Sequence, residues 1–284
     1  MRDDLTLACW GRPGLEDLTG APTGRFASVA AGRRDVCALA IDATMTCWGR
    51  WYDKAAALGG PVVAPDGRFL ALDVADTQVC GIRTDGTLAC WGAWQTQVPP
   101  PTSPVPGGTF SAVAVVHDWY GGCAIRSDAT IACWGPDDWG EASPPAGAYR
   151  AIAAGRQMYC AIGVDDAIAC WGHRLYGMGE PPGGRYQALA IGGDTGCAIA
   201  LDGSTDCWGA AVGGSPLPPV GSALPPDDPT ATVSVGETFG ALVSTDGRLH
   251  QWGEADYWPE WGFGMPQPDV RFAIHHLLPD EGDA

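Results

Sequence analysis

Cysteine is the residue type whose spacing in this sequence points most directly to chemistry. The chain has 11 cysteines, and all but Cys9 fall into pairs whose members are ten residues apart. The pairs are Cys37/Cys47, Cys80/Cys90, Cys123/Cys133, Cys160/Cys170 and Cys197/Cys207. Zinc sites usually bring two thiolates about two to four residues apart, and this sequence has no such spacing. The pattern therefore favours disulfides and leaves Cys9 without a partner.

Disulfides on this scale indicate an oxidising compartment. We expect a secreted, periplasmic or cell-surface protein. No signal peptide is recognisable at Met1, so we expect any leader to lie outside this chain. No segment has the apolar length of a membrane span, and we expect no direct insertion into a membrane.

Other residues that carry catalysis or bind metals give weaker signals. The five histidines are His117, His173, His250, His275 and His276, and their spacing does not match a metal site. No serine or cysteine lies in a recognisable nucleophile motif. The sequence therefore predicts a protein that is not an enzyme and that needs no cofactor or metal. A pair of carboxylates acting on a sugar is a less favoured alternative.

The cysteines are held by a repeat that ends in Trp-Gly. The repeated tryptophans are Trp10, Trp48, Trp91, Trp134, Trp171, Trp208 and Trp252, at intervals of 37 to 44 residues. Each unit has room for three short strands, and its first strand opens at Phe26, Phe69, Phe110, Tyr149, Tyr186, Thr230 or Phe272. A repeat of this period is typical of propellers and solenoids. We predict an all-β fold, a seven-bladed β-propeller of short three- to four-stranded blades.

The distance from opening residue to closing cysteine predicts how the ring closes. It is 21 residues in all but one complete copy, and the same distance results when Phe272–Ala284 is joined to Met1–Cys9. We therefore predict one domain over 1–284, with the seventh blade split between 270–284 and 1–11. Pairing of the N- and C-terminal strands would leave no free sheet edge between the first and last blades.

An aspartate lies midway between the cysteines of every pair. These residues are Asp42, Asp85, Asp128, Asp165 and Asp202, and Asp246 occupies the same place in the unit that lacks cysteines. The pattern predicts a hairpin whose turn places the residue after Asp in the left-handed region. Gly86, Gly203 and Gly247 suit that position, whereas Ala43, Ala129 and Asp166 should be slightly strained there. Such a turn sets the two cysteines opposite each other on neighbouring strands, within disulfide reach.

The units resemble the disulfide-bearing, crinkly-type variety of the regulator of chromosome condensation repeat. The segments that carry the resemblance best run from Trp134-Gly135 to Tyr149 and from Trp171-Gly172 to Tyr186. Similar proteins form seven-bladed propellers with varied roles, including nucleotide exchange, light sensing and receptor recognition, so the resemblance implies a fold more than a function. The histidine that usually precedes the first cysteine is replaced here, for example by Val36 or Tyr159.

Charge narrows the choice of partner. The chain has a formal net charge of −17, and Lys54 is its one lysine. This acidity argues against nucleic acid and anionic membranes as partners. We expect a monomer that binds a protein or peptide, or else a carbohydrate.

Candidate binding residues lie in two kinds of loop. The loops that join the first strand of a blade to its second should gather on one rim, and we expect His117, Trp119, Arg156 and Tyr159 to be exposed there. The chain has 13 tryptophans, and six lie in connecting segments outside the repeated position. The candidate residues are Arg33, Arg34, Trp94, His117, Asp118, Trp119, Tyr120, Trp139, Arg156 and Tyr159.

These observations favour a secreted, non-catalytic scaffold that recognises a protein or peptide through loops on one face. The first alternative is a carbohydrate-binding propeller that uses loop Trp and Tyr side chains as stacking platforms. Trp-floored pockets repeated between blades would favour this alternative over a single asymmetric patch. The less favoured alternative is a propeller enzyme that acts on sugars, which would need convergent carboxylates with shifted pKa values in a channel mouth.

Overall fold

Three-stranded antiparallel sheets repeat along the chain. The computed structural model describes residues 4–9, 21–32, 35–49, 65–75, 78–92, 104–117, 120–173, 180–209, 229–236 and 239–253. Within these residues the regular structure is entirely β, in six sheets of three strands with no helix. This confirms the prediction of an all-β protein built from repeated three-stranded units.

The strands follow the chain in groups of three, and each group forms one sheet in sequence order. The first three sheets are β1 Phe26–Ala31, β2 Asp35–Ala40, β3 Met45–Gly49; β4 Phe69–Val74, β5 Gln78–Arg83, β6 Leu88–Gly92; and β7 Phe110–Val115, β8 Gly122–Arg126, β9 Ile131–Trp134. The next three are β10 Tyr149–Ala154, β11 Met158–Gly163, β12 Ile168–Gly172; β13 Tyr186–Gly192, β14 Thr195–Ala200, β15 Thr205–Gly209; and β16 Thr230–Val235, β17 Phe239–Ser244, β18 Leu249–Gly253.

All five predicted disulfides are present. In each, the cysteines are direct cross-strand partners in the second and third strands of a sheet. The Cα atoms of each pair lie 4.0 to 4.1 Å apart, close to the separation of a non-hydrogen-bonded antiparallel pair. Cys9 is the one free cysteine in the described part of the chain, and it is half-buried. The observed bridges are Cys37–Cys47, Cys80–Cys90, Cys123–Cys133, Cys160–Cys170 and Cys197–Cys207.

The two cysteines of a bridge differ in burial, a difference that the repeat did not predict. The first cysteine of every pair is 0% exposed, because it lies in the middle strand, which has a hydrogen-bonded neighbour on each side. The second lies in the third strand, at the edge of the sheet, and only Cys170 is buried there. The other four second cysteines are half-buried. The half-buried cysteines are Cys47, Cys90, Cys133 and Cys207.

The hairpin turns between second and third strands have the predicted geometry. In all six, the Asp side chain accepts a hydrogen bond of 2.9 to 3.2 Å from the backbone N–H two residues later. The residue after Asp has a φ between 66° and 87° in all six turns, whether it is glycine or, as at Ala43, Ala129 and Asp166, a residue with a Cβ. Hydrogen bonds from the following Thr or Ser lower the pKa of four of these exposed carboxyls, which keeps them ionised as acceptors. The four are Asp42, Asp85, Asp128 and Asp202.

The first five of these turns also hold the start of the following sheet. The backbone N–H of Phe69, which opens β4, donates to the oxygen of Ala43 in the preceding turn at 2.9 Å, and the openings of β7, β10, β13 and β16 repeat this bond at 2.8 to 2.9 Å. The N-terminal segment has the same geometry. Asp4 accepts from the N–H of Thr6 at 2.9 Å, Leu5 has a φ of 68°, and Leu5 accepts from Phe26 at 2.9 Å.

The core lies between neighbouring sheets. The six opening residues of β1, β4, β7, β10, β13 and β16 are all 6% exposed or less. The repeated tryptophans Trp91, Trp134, Trp171 and Trp208 are buried, whereas Trp48 is half-buried. Four of the five repeated tryptophans whose side chains are described therefore belong to the core. The side chains of Trp10 and Trp252 lie outside the described residues.

Candidate functional site

The rim loops join the first strand of a sheet to its second. Three of them are described at two or more residues: 116–117 and 120–121 between β7 and β8, 155–157 between β10 and β11, and 193–194 between β13 and β14. Consecutive strands of a sheet run in opposite directions, so the loop after the first strand and the turn after the second strand lie at opposite ends of the blade. The rim loops therefore lie at the end opposite the Asp turns.

Backbone contacts connect the rim loops across three sheets. His117 and Arg156 form an isolated parallel bridge, in which the N–H of His117 donates to the oxygen of Gly155 at 3.1 Å. Arg156 in turn donates its N–H to the oxygen of Gly193 at 3.1 Å, and its guanidinium lies 4.0 Å from the carboxylate of Asp194. The structure therefore brings together His117 and Arg156, two of the residues that the sequence selected.

The described residues around the loop between β7 and β8 are also anchored by the sheet before it. The side-chain amide of Gln78 donates to the oxygen of Gly121. The carboxylate of Asp73 in β4 accepts from the N–H of Val115 at 2.8 Å. Burial raises the pKa of Asp73 to about 6, and the hydrogen bond from Val115 and the charge of His117 oppose that rise.

Tyr159 does not lie where the sequence placed it. The expectation that it is exposed is wrong, because the side chain is 1% exposed. Tyr159 belongs to the middle strand β11, where it is the cross-strand partner of Trp171. Its ring stacks on that indole with centroids 5.5 Å apart. Tyr159 belongs to a buried cluster with Ala114 and Ile125 of the preceding sheet, which explains the burial.

The outer segment, residues 135–148, presents Trp139 to solvent. Trp139 is 61% exposed, and its ring lies 4.6 Å from that of His173, between centroids. Glu141 fixes the segment at two points. Its carboxylate accepts from the N–H of Trp139 at 2.7 Å, and its backbone oxygen accepts from the indole N–H of Trp171 at 3.0 Å. Trp139 is therefore exposed on a backbone that is held in place.

Asp137 holds the base of the same segment. Its carboxylate accepts from the N–H of Ala142 at 2.8 Å and from the hydroxyl of Ser143 at 2.7 Å. Such side-chain bonds to nearby backbone stabilise a compact loop without a regular strand.

A cleft of about 50 Å³ opens between the outer segment and the rim loops. We call it the Trp139 cleft. Its walls are aromatic and acidic, with Tyr120, Trp134, Trp139 and Tyr159 providing rings and Asp138 and Glu141 providing carboxylates. Val116, Gly121, Pro136 and Gln157 complete the lining. Gln157 has a φ of 58°, a left-handed conformation that costs energy in a residue with a side chain.

Solved structures with similar folds include two receptor ectodomains and one yeast protein. The entire ectodomain of the Physcomitrella patens receptor kinase CR4 matches 88% of this chain over 67% of its own length, with 20% identity and a TM-score of 0.69. The CRINKLY WD40 ectodomain of the Arabidopsis thaliana receptor kinase ACR4 matches 96% of this chain over 91% of its own, with 21% identity and a TM-score of 0.68. Prp20p from Saccharomyces cerevisiae matches 88% of this chain over 77% of its own length, with 16% identity and a TM-score of 0.63. Its structure is described together with its binding properties to Gsp1p and histones.

At 16 to 21% identity these structures show a shared fold, so the six described sheets belong to a β-propeller built from repeated three-stranded blades. No protein-family model and no curated protein sequence matches the chain. The disulfides within its blades agree with the crinkly-type resemblance that the repeat suggested.

Several candidate residues of the propeller lie outside the described residues. These are Arg33, Arg34, Trp94, Asp118 and Trp119. Within the part of the chain that the structure describes, no three His, Cys, Asp or Glu side chains are grouped as a metal site, and no helix is both long and apolar enough to cross a bilayer.

Sequence reasoning missed Asp73, Asp138 and Glu141. For Asp73 a signal was present, because the equivalent positions in the other first strands are Ala30, Ala114, Ala153, Ala190 and Ser234. A lone carboxylate in a column of small residues marks a position with a specific partner. Asp138 and Glu141 gave no comparable signal, since the connecting segments differ in length and cannot be aligned.

Proposed function

We propose that this propeller is a secreted, non-catalytic binding scaffold that recognises a protein or peptide through the rim loops and the Trp139 cleft. The observation that carries the proposal is the fixed exposure of Trp139 beside rim loops that are joined across three sheets. Rigid, exposed tryptophan is the residue type most enriched among the strongest contributors to protein interfaces. A connected rim loses little conformational entropy when a partner binds it.

The contacts of the described carboxylates favour binding over catalysis. The repeated Asp side chains accept hydrogen bonds within their own turns, as expected of structural residues. The carboxylate of Glu141 positions the backbone of Trp139. Such groups already have partners, whereas a sugar-cleaving pair needs two carboxylates free to face one bond.

Five disulfides support an extracellular location, because thiols in the cytosol are kept reduced. The similarity to two receptor ectodomains is in line with this location. The binding properties of Prp20p to Gsp1p and histones are those of another propeller, and they make a protein partner a reasonable class for this one.

The proposal includes a closed ring of seven blades that forms one domain and acts as a monomer. Its support is the N-terminal segment, where Asp4, Leu5 and Phe26 make the same hydrogen bonds as the first five Asp turns. A seventh turn at Asp4 needs partner strands from elsewhere in the chain. The residues that the 21-residue count assigns to them, 270–284, lie outside the described residues.

The test is affinity capture from the native environment with three forms of the protein. The rim variant is His117→Ala/Trp139→Ala. The control is Val164→Ser/Leu201→Ser, which changes two side chains beside the Asp turns that are 62% and 51% exposed. These residues lie at the opposite end of the blades. Thermal unfolding of each form checks that the fold is retained.

We expect the rim variant to lose a protein that the wild type and the control both retain. Loss in the control alone would move recognition to the opposite face and overturn the proposal. Capture of a glycan rather than a protein, again dependent on Trp139, would favour the carbohydrate-binding alternative. Equal capture by all three forms would eliminate the proposed face.

A further inference from the structure

We infer that the Trp139 cleft binds the cationic end of a lysine or arginine side chain, presented by a basic segment of a partner protein. This inference rests on the proposed function and names the chemistry of the partner. It follows from what lines the cleft, from its size and from the electrostatics of its inner wall.

The lining combines aromatic faces with negative charge. Four of its side chains are Tyr or Trp and two are carboxylates, and none is Lys, Arg or His. Cations are attracted to the faces of aromatic rings, most strongly to tryptophan. Carboxylates nearby add direct attraction, which weakens when salt screens it.

The inner wall includes a tyrosine side chain. Tyr159 is 1% exposed and lines the cleft. A tyrosine hydroxyl can accept a hydrogen bond as well as donate one. An N–H of an ammonium or guanidinium group would donate to this oxygen.

The electrostatic potential at the Tyr159 hydroxyl is negative. The pKa of Tyr159 lies well above its ordinary value, first because the ring is buried and then because the carboxylates of Glu141 and Asp73 act on it. Both effects oppose a negative charge on the tyrosine. The two carboxylates would stabilise a positive charge at the same place.

Size and preorganisation complete the case. The cleft has about 50 Å³, which exceeds the roughly 10–15 Å³ that a single water needs, so the cleft has room for a small polar end group. The Glu141 carboxylate accepts from the backbone N–H of Trp139 at 2.7 Å, which keeps a negative charge at the residue that carries the exposed indole before a ligand arrives. The net charge of −17 attracts a basic segment from a distance.

The test is a titration of full-length protein labelled with ¹⁵N at tryptophan. The probes are a short arginine peptide and a short lysine peptide, and the neutral controls contain citrulline and acetyl-lysine at the same positions. We expect the indole resonances of Trp139 and Trp171 to move saturably with the cationic peptides. Each neutral control should bind roughly tenfold more weakly.

Two conservative variants separate the cleft from the general acidity of the protein. Glu141→Gln keeps an acceptor for the Trp139 N–H, and Tyr159→Phe removes only the hydroxyl. Each should weaken the cationic peptides by roughly three- to tenfold. Glu180→Gln removes the same charge from an exposed position outside the cleft lining and should leave binding unchanged.

Equal binding of cationic and neutral peptides would overturn the inference, as would an absence of saturable shifts at millimolar peptide. Either result leaves the rim proposal intact if native capture still depends on His117 and Trp139. If capture is lost only in the opposite-face control while the arginine peptide still binds the cleft, the proposed function fails and the cation site stands.

Discussion

The backbone oxygen of Leu5 accepts a 2.9 Å hydrogen bond from the N–H of Phe26, and this pair repeats the bond between Ala43 and Phe69 one blade later. Leu5 has a φ of 68°, and Ala43 has one of 66°. The segment at Leu5 therefore holds the start of the first sheet in the same way as the hairpin turn at Ala43 holds the start of the second. Cys9 then occupies the place of the second cysteine of a pair, because it follows Asp4 at the distance by which Cys47 follows Asp42.

The first prediction concerns the missing partner of Cys9. If the ring closes through a split seventh blade, position 283 lies opposite Cys9, and Asp283→Cys will form a sixth disulfide. Thiol titration and intact mass will show the loss of two free thiols. Gly282→Cys is the matched control, since adjacent strand residues point to opposite faces. A free thiol in Asp283→Cys, or equal cross-linking in both variants, would contradict ring closure.

The second prediction concerns the fit between Gly122 and Trp134. A Cβ added at Gly122 would lie 2.2 Å from the indole of Trp134. Gly122→Ala should therefore lower the free energy of unfolding by about 1–3 kcal/mol, the usual range for overpacking. Denaturant unfolding measures the change. Gly107→Ala is the control, because a Cβ there meets nothing within 4 Å, and an equal loss in both variants would refute the packing argument.

The third prediction concerns pH. The pKa of Asp73 is about 6 in the folded protein, against an ordinary value of 3.8. A raised acid pKa means that the ionised form is disfavoured by folding, so stability should fall as pH rises from about 4 to about 6. Asp73→Asn keeps an acceptor for Val115 and should remove this fall, with a gain at neutral pH of at most about 3 kcal/mol.

Thermal unfolding between acidic and neutral pH measures the Asp73 effect. The charge-matched control is Asp138→Asn, at an exposed carboxylate. A similar gain from both variants would mean that the net charge, rather than the burial of Asp73, sets the slope.

The fourth prediction concerns the turn at Ala129, whose φ is 69°. An L-residue other than glycine pays roughly 1–2 kcal/mol in this region, and part of that is offset by the greater unfolded-state entropy of glycine. Ala129→Gly should therefore raise the free energy of unfolding by about 0.5–1 kcal/mol. The same substitution at Ala132 in β9 should lower it, because glycine weakens a strand. A loss at both positions would show that the left-handed turn is not strained.

The fifth prediction concerns one disulfide. Cys160→Ser/Cys170→Ser should lower the free energy of unfolding by about 3 kcal/mol, the chain-entropy value for so short a loop. Unfolding under non-reducing conditions measures it, and Cys9→Ser, which breaks no disulfide, serves as the control. No difference between the two variants would mean that the hairpin alone sets the register.

Local rules made most of the fold predictable. The spacing of ten residues with Asp at its centre fixes the hairpin, and the hairpin fixes which cysteines face each other, so the sequence predicted both Cys160–Cys170 and the left-handed φ of Ala129. The same regularity predicted that loops such as those of His117 and Arg156 would meet on one rim. Each of these depends on residues close together in sequence or related by the repeat.

The candidate site was less predictable because it depends on departures from the repeat. Tyr159 stands where Val36 or Gly196 stands in other units, and position alone did not reveal that it would stack on Trp171 instead of facing solvent. The Trp139 cleft depends on Glu141, whose role follows from the path of a connecting segment with no counterpart of equal length. Such contacts are set by tertiary packing, which the repeat does not encode.

The five covalent bridges each join two strands of a single hairpin, as Cys37 and Cys47 do in β2 and β3. Each bridge can therefore form as soon as its own hairpin has left the ribosome or translocon, before any later part of the polypeptide exists. Oxidation within each hairpin as it emerges gives the observed pairing, whereas oxidation strictly in order of synthesis would join Cys9 to Cys37. Cys9 is therefore the thiol from which an isomerase would have to release Cys37 during maturation.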